Sequence, residues 1–187
     1  MRIVAGEFRG RRLLPPVDDA TRPVTDRVKQ SLFDVVTPWL DGGVVWDVFA
    51  GTGSFGLEAL SRGMERAVFF ERHRPARLRL GRNILSLEVE DRSMFRTHDL
   101  YRANFGDLPS PSVVFLDPPY RHVREKTAAL DALVGRLVEA MKPDGLLVFR
   151  HDAADDDIAI SSARETDRRR WGQMTARLLA PTSARPG

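Results

Sequence analysis

The chain of 187 residues contains no cysteine. Disulfides, thiolate-bound zinc and cysteine nucleophiles are therefore excluded. It also lacks any apolar run near the roughly 20 residues that a membrane span requires. Its N-terminus, MRIVAGEFRGRR, is too polar for a signal peptide. Its four histidines, at 73, 98, 122 and 151, are scattered without metal-ligand spacing. These absences lead to the expectation of a cytoplasmic protein without a membrane or metal partner. What remains is ordinary globular composition, 42% hydrophobic and 29% charged, with a formal net charge of +3. The length suits one domain with a substantial core.

Residues 1–30 hold seven Lys/Arg against four Asp/Glu, enough to account for the net charge. We therefore expect a basic N-terminal arm over residues 1–25 ahead of a domain over 26–187. Arg9, Arg11 and Arg12 surround Gly10 in this arm. Such a cluster suits phosphate contacts and salt-sensitive binding of a nucleic acid. A solvated basic strand would have the same composition.

In TRPVTDRVKQSLFDVV, Thr25 or Asp26 can cap a helix whose apolar face carries Val28, Leu32, Val35 and Val36. Strands and helices then alternate. VVWDVF, AVFFE, MFRT, VVFLD and LLVFR read as strands over 44–49, 67–71, 94–97, 113–117 and 146–150. Helices are predicted from GLEALSRG, ending at Gly63, over 75–88, and over 125–141 with the clearest period in the chain. Continuous apolar strands between amphipathic helices indicate a mostly parallel sheet with helices on both faces. The tail breaks that rhythm. RRRW, Gly172-Gln173 and MTARLLA read as an antiparallel hairpin, with DAADDD as a solvated loop before it.

The first strand runs into DVFAGTGSFG, where Gly51, Gly53 and Gly56 satisfy G-x-G-x-x-G and Glu71 follows Gly51 by 20 residues. Glycines allow close approach of backbone to a ligand, and an acid beyond the second strand can accept from ribose hydroxyls. A tight strand-to-helix turn would use the same glycines. Asp47 discriminates among ligands. A carboxylate at the strand tip repels a pyrophosphate but suits the cationic amino-acid end of S-adenosylmethionine. Asp99, after the third strand, could accept from an adenine amino group, or be an ordinary loop aspartate.

FLDPPY ends the fourth strand, at the sheet edge where open α/β proteins bind ligands. Neither proline of the turn has an N–H, so acceptors converge there. The Asp117 carboxylate and the Pro118 carbonyl could hold the two hydrogens of an aromatic amine, and Tyr120 could stack on its ring. His122, two residues on, is a further candidate for substrate contact. A Pro-rich turn with a packed tyrosine is the bland reading.

RIVAGEFRGRRL, TRPVTDRVKQSLF, DVFAGTGSFGLEALSRG, FFER, VVFLDPPY and GQMTARLL together resemble the bacterial 16S ribosomal RNA guanine-N2 methyltransferase family, RsmD, within the class I S-adenosylmethionine-dependent methyltransferases. The resemblance implies a Rossmann-like α/β fold, with a seven-stranded sheet ending in a reversed hairpin. It implies that Asp47, Gly51 and Gly53 line the methionine end of the cofactor, with Glu71 at its ribose and Asp99 at its adenine. Asp117, Pro118 and Tyr120 would hold the target guanine. Arg22 and Arg27 would close over the cofactor or grip RNA, and Arg121 and Lys126 join Arg9, Arg11 and Arg12 as candidate phosphate contacts. The implied partner is 16S ribosomal RNA or the small ribosomal subunit, and the product of the cofactor is S-adenosylhomocysteine. One departure stands out: FRHDAADD after the fifth strand places Arg150 and His151 where an acid is expected. The alternative reading is a DNA or other RNA amino-methyltransferase. A nicotinamide dehydrogenase shares the glycine pattern, but Asp47 and DPPY argue against it.

Overall fold

A computed structural model describes residues 1–16 and 24–182. Its helices and strands follow in the order α1 (Asp26–Val36), β1 (Val44–Val48), α2 (Ser54–Ser61), β2 (Arg66–Phe70), α3 (Arg74–Leu87) and β3 (Ser93–Arg96). After these come β4 (Val113–Leu116), α4 (Tyr120–Glu125), α5 (Thr127–Ala140), β5 (Leu146–Asp152), β6 (Arg164–Trp171) and β7 (Met174–Ala180). The seven strands form one sheet in the order β3-β2-β1-β4-β5-β7-β6. The first five are parallel to one another, while β7 runs antiparallel to both β5 and β6.

The strand residues alternate between two cores, as the period of two requires. Val45, Phe69, Phe115 and Val148 face one side, where α1, α2 and α3 contribute Phe33, Phe55 and Leu80. Trp46, Phe70, Leu116 and Phe149 face the other, against Leu130, Val134 and Leu137 of α5. On the first side the Phe115 ring lies 5.2 Å from both Phe33 and Phe55. This stack ties the strand that ends in DPPY to α1 and α2.

The helix predicted over 125–141 is α5, and Leu130, Leu133, Val134, Leu137 and Val138 form its buried face. A short helix that the sequence reading did not include, α4, precedes it with Pro119 at its N-cap. Lys126, between the two, adopts φ −129° and ψ 32°, outside helical geometry, so the chain turns there. The remaining elements agree with the sequence expectations to within one or two residues at most ends, and Thr25 caps α1 by accepting from the Val28 N–H.

Residues 1–16 fold back on the domain. Ile3 and Leu13 are buried, and Arg2 pairs with Arg12 as an antiparallel bridge. The buried Glu58 carboxylate accepts from the amides of Val4 and Ala5 at 2.8 and 3.0 Å. It also pairs with Lys29 at 3.4 Å and Arg62 at 2.9 Å. Among the described residues no helix is long and apolar enough to cross a membrane.

Candidate active site

Strand register assembles the site. Asp47 of β1 lies beside Phe69 of β2 and Phe115 of β4, and Phe115 lies beside Val148 of β5. Two residues farther along each of the last three strands stand Glu71, Asp117 and Arg150. A pleat of period two puts all of them on the face that Asp47 occupies. Asp47, Gly51, Asp117 and Arg150 line one cleft together with Phe49 and Ser54.

Asp47 is buried, and its Oδ2 accepts from the Gly56 N–H at 2.8 Å. Its Oδ1 is also buried and has no partner. Burial, reinforced by the charges of Asp117 and Glu71, pushes the pKa of Asp47 up to about 8. A buried acceptor left without a donor is costly and invites a cationic ligand. Gly51 has φ +56°, and no atom lies within 4 Å of where its Cβ would be. Its open side therefore admits a ligand. Gly53 and Gly56 are also needed for packing: a Cβ would meet Leu80 or Phe69 at 2.4 Å. An unpaired buried carboxylate oxygen beside an open glycine fits the ammonium end of S-adenosylmethionine.

Glu71 is occupied by backbone in this state. Its two oxygens accept from the Gly51 and His73 N–H groups at 2.8 and 2.6 Å. A carboxylate retains lone pairs for further donors. Asp99 is exposed, accepts from the Tyr101 N–H and lies 3.7 Å from Arg72.

Asp117 is held by a residue absent from the sequence-based site. Arg150 Nε donates to Asp117 Oδ1 at 2.7 Å, with side-chain exposures of 6% and 19%. Burial raises the pKa of Asp117, and Arg150 opposes that rise. Burial likewise opposes the charge on Arg150, yet the Asp117 carboxylate holds its pKa above the usual value. Arg150 also lines a second cavity with Tyr120, Val28, Trp171, Gln173 and Met174. Arg150 thus borders both a cleft on the glycine-loop side, which Asp117 also lines, and a cavity on the tyrosine side.

Two aromatic residues that sequence reasoning missed, Phe49 and Tyr101, gather beside the candidates His122 and Lys126. Phe49 has φ +62°, and its ring lies 6.3 Å from Tyr101 and 5.7 Å from His122. Tyr101 OH and His122 Nδ1 are 3.1 Å apart, and Lys126 Nζ sits 5.2 Å over the Tyr101 ring. Positive φ at a phenylalanine is a signal that sequence does not carry. Of the candidate phosphate contacts, Arg9, Arg11, Arg12, Arg27, Arg121 and Lys126 are exposed, while Arg22 lies outside the described residues. Among the described residues no group of three or more metal-ligating side chains is gathered.

The strand order, reversed terminal hairpin and acid-bearing strand tips define a class I S-adenosylmethionine-dependent methyltransferase. The profile of a family described as "Conserved hypothetical protein 95" matches residues 1–180. YlbH of Bacillus subtilis (strain 168), provisionally named an rRNA methyltransferase, is 36% identical over 155 residues, covering 81% of this chain and 83% of that protein. Ribosomal RNA small subunit methyltransferase D of Escherichia coli (strain K12) is 35% identical over 121 residues, or 65% of this chain and 61% of that protein. The structure of YhhF from Escherichia coli, provisionally named a methyltransferase, superposes with a TM-score of 0.79 at 26% identity, covering 99% of both chains. The chain belongs to the RsmD family that its motifs resemble.

Proposed function

We propose that the chain transfers a methyl group from S-adenosylmethionine to the exocyclic N2 of a guanine in 16S ribosomal RNA. The observation that carries this reading is the Asp117–Arg150 pair, with Asp117 in the glycine-loop cleft and Arg150 bordering both that cleft and the cavity of Tyr120. Asp47 and Gly51 bind the amino-acid end of the cofactor, Glu71 its ribose and Asp99 its adenine edge. S-adenosylmethionine supplies a methyl group activated on a sulfonium. Arg150 uses Asp117 Oδ1, while Oδ2 has no hydrogen-bond partner among the described residues. Oδ2 and the Pro118 carbonyl accept the amine hydrogens and turn the nitrogen lone pair out of conjugation with the ring. Tyr120 supports the base. The nitrogen bonds to the methyl carbon as the carbon–sulfur bond breaks. It then loses a proton to solvent, and S-adenosylhomocysteine is released. The base must leave its stack to reach this position. In-line geometry held by a rigid turn contributes several kcal/mol, up to about 7–11 in well-oriented systems.

The names carried by YlbH and the Escherichia coli enzyme support an rRNA substrate. A ribosomal substrate would put the activity in the cytoplasm. The test is incubation with methyl-labelled S-adenosylmethionine and small ribosomal subunits lacking native guanine methylation, with naked 16S rRNA and DNA alongside. Label in one guanine of the rRNA is expected. Cofactor binding with label only in DNA, or nowhere, would overturn the substrate assignment.

A further inference from the structure

The outer face of α3 carries charge that neither the fold nor the site explains. From Arg72 to Leu87 the chain has five arginines and no acid. Among the described residues only Arg72 of these lies near a carboxylate, that of Asp99 at 3.7 Å. Among the described residues Arg74, Arg77, Arg79 and Arg82 form no ion pair. Strand β6 is a control within the same molecule. It carries four arginines in eight residues, yet Arg168 pairs with Glu165 at 2.8 Å and Arg169 with Asp167 at 2.7 Å. Two of the four arginines of β6 are thus paired within the strand, whereas among the described residues none of those of α3 is.

This arrangement works against the helix that bears it. The first turn of α3 contains no acid, so Arg74 faces the positive end of the helix dipole. Arg74 and Arg77, and again Arg79 and Arg82, are like charges at i,i+3. Stability does not account for such a pattern. A polyanionic ligand does, because neutralising the charges on binding reverses both penalties.

The N-terminal hairpin extends the surface. Leu14 N–H donates to Asn83 Oδ1 at 2.8 Å, and the Arg11 guanidinium donates to the Ser86 carbonyl, one turn from Arg82. The exposed large hydrophobic residues of the described chain, Leu14, Leu78 and Leu85, all lie on this same hairpin and helix. Apolar side chains between arginines can cover ribose and unstacked base faces. A 14-residue helix is about 21 Å long, enough to face several phosphates.

We propose that the α3 face and the docked N-terminal hairpin form an RNA-backbone binding surface that holds the ribosomal RNA while its target base enters the site. This rests on the RNA substrate proposed above. The test is Arg74→Gln/Arg77→Gln/Arg82→Gln in the full chain, with Arg169→Gln as the β6 control. Naked 16S rRNA and small subunits are the probes. The triple variant should bind naked rRNA at least tenfold more weakly near 0.1 M salt. Its log–log salt slope should fall by about 2, from roughly 0.7–0.9 per lost phosphate contact. Cofactor affinity and the rate at saturating RNA should hold, and the melting temperature should not drop. Arg169→Gln should match wild type.

Salt-dependent wild-type binding that the triple variant retains unchanged would overturn the surface and leave the methyltransfer reading intact. A loss confined to the assembled subunit, with naked rRNA unaffected, would assign the face to a protein partner and overturn RNA binding by it. Wild-type protein that neither binds nor methylates rRNA would overturn both.

Discussion

Arg150 and Asp117 face each other across neighbouring parallel strands, with Arg150 Nε donating to Asp117 Oδ1 at 2.7 Å. They stand two residues beyond the Phe115–Val148 pair, so the ion pair continues the register of the sheet into the site. Asp117 in turn helps to raise the pKa of Asp47 on β1. Without Arg150, burial would favour protonated Asp117.

Arg150→Met should therefore move the acid limb of the pH–rate profile upward. A carboxylate that must accept amine hydrogens works only when ionised, and activity is lost as pH falls through its pKa. Recovery toward wild-type rates at higher pH is expected, and Arg150→Lys should restore much of the profile. A uniform loss at every pH would leave Arg150 with a packing role only.

Asp117→Ala should abolish transfer while cofactor affinity changes by only a few-fold. It should also destabilise the protein, by about 3 kcal/mol, because arginine cannot shed its proton and stays buried without a partner. Asp117→Ala/Arg150→Met should melt higher than Asp117→Ala alone and remain inactive. Thermal melts and single-turnover assays separate the two effects.

Asp47 couples cofactor binding to protons. With its pKa up at about 8, it is largely neutral at pH 7 in the free protein. A cationic ligand would ionise it, so binding should release up to about one proton, read as buffer-dependent enthalpy in calorimetry. Asp47→Asn should remove that release and weaken cofactor affinity at least tenfold. The folded-state pKa is raised, so the associated stability is present at low pH. It is lost as pH climbs from 3.8 toward about 8. The Asn variant should thus gain stability relative to wild type between pH 5 and 8.

Two glycines of one loop should fail differently. Gly51→Ala meets no atom within 4 Å but adopts φ +56°, costing about 1 kcal/mol, and its methyl enters the cleft. Cofactor affinity should fall at least tenfold with a small change in melting temperature. Gly56→Ala would bring a Cβ to 2.4 Å from Phe69, so overpacking of about 1–3 kcal/mol should dominate. Equal losses of affinity and stability in both variants would contradict this division.

The sheet was legible because its strands are short apolar runs whose neighbours are helices with their own period. Asp47 and Asp117 were legible because each stands at the tip of such a run, before a glycine loop or a proline turn. Arg150 ends a run in the same way, but its side chain is uninformative without the strand beside it. Phe49 gives no sign of its positive φ. The short helix α4 carries one buried apolar residue, Val123, and so shows no period to read. Residues 1–16 read as a basic arm because Ile3 and Leu13 are too far apart to show a period, and their anchor, Glu58, comes from another element.

By itself, then, the sequence determined the elements, their alternation and the chemistry available at the strand tips, since these depend on neighbours along the chain. Tertiary structure alone decided the partners. It set Arg150 on Asp117, left Asp47 Oδ1 unpaired, and laid the N-terminal arginines beside those of α3. Register, burial and docking depend on residues dozens of positions apart, and their energies exist only once the sheet has closed around them.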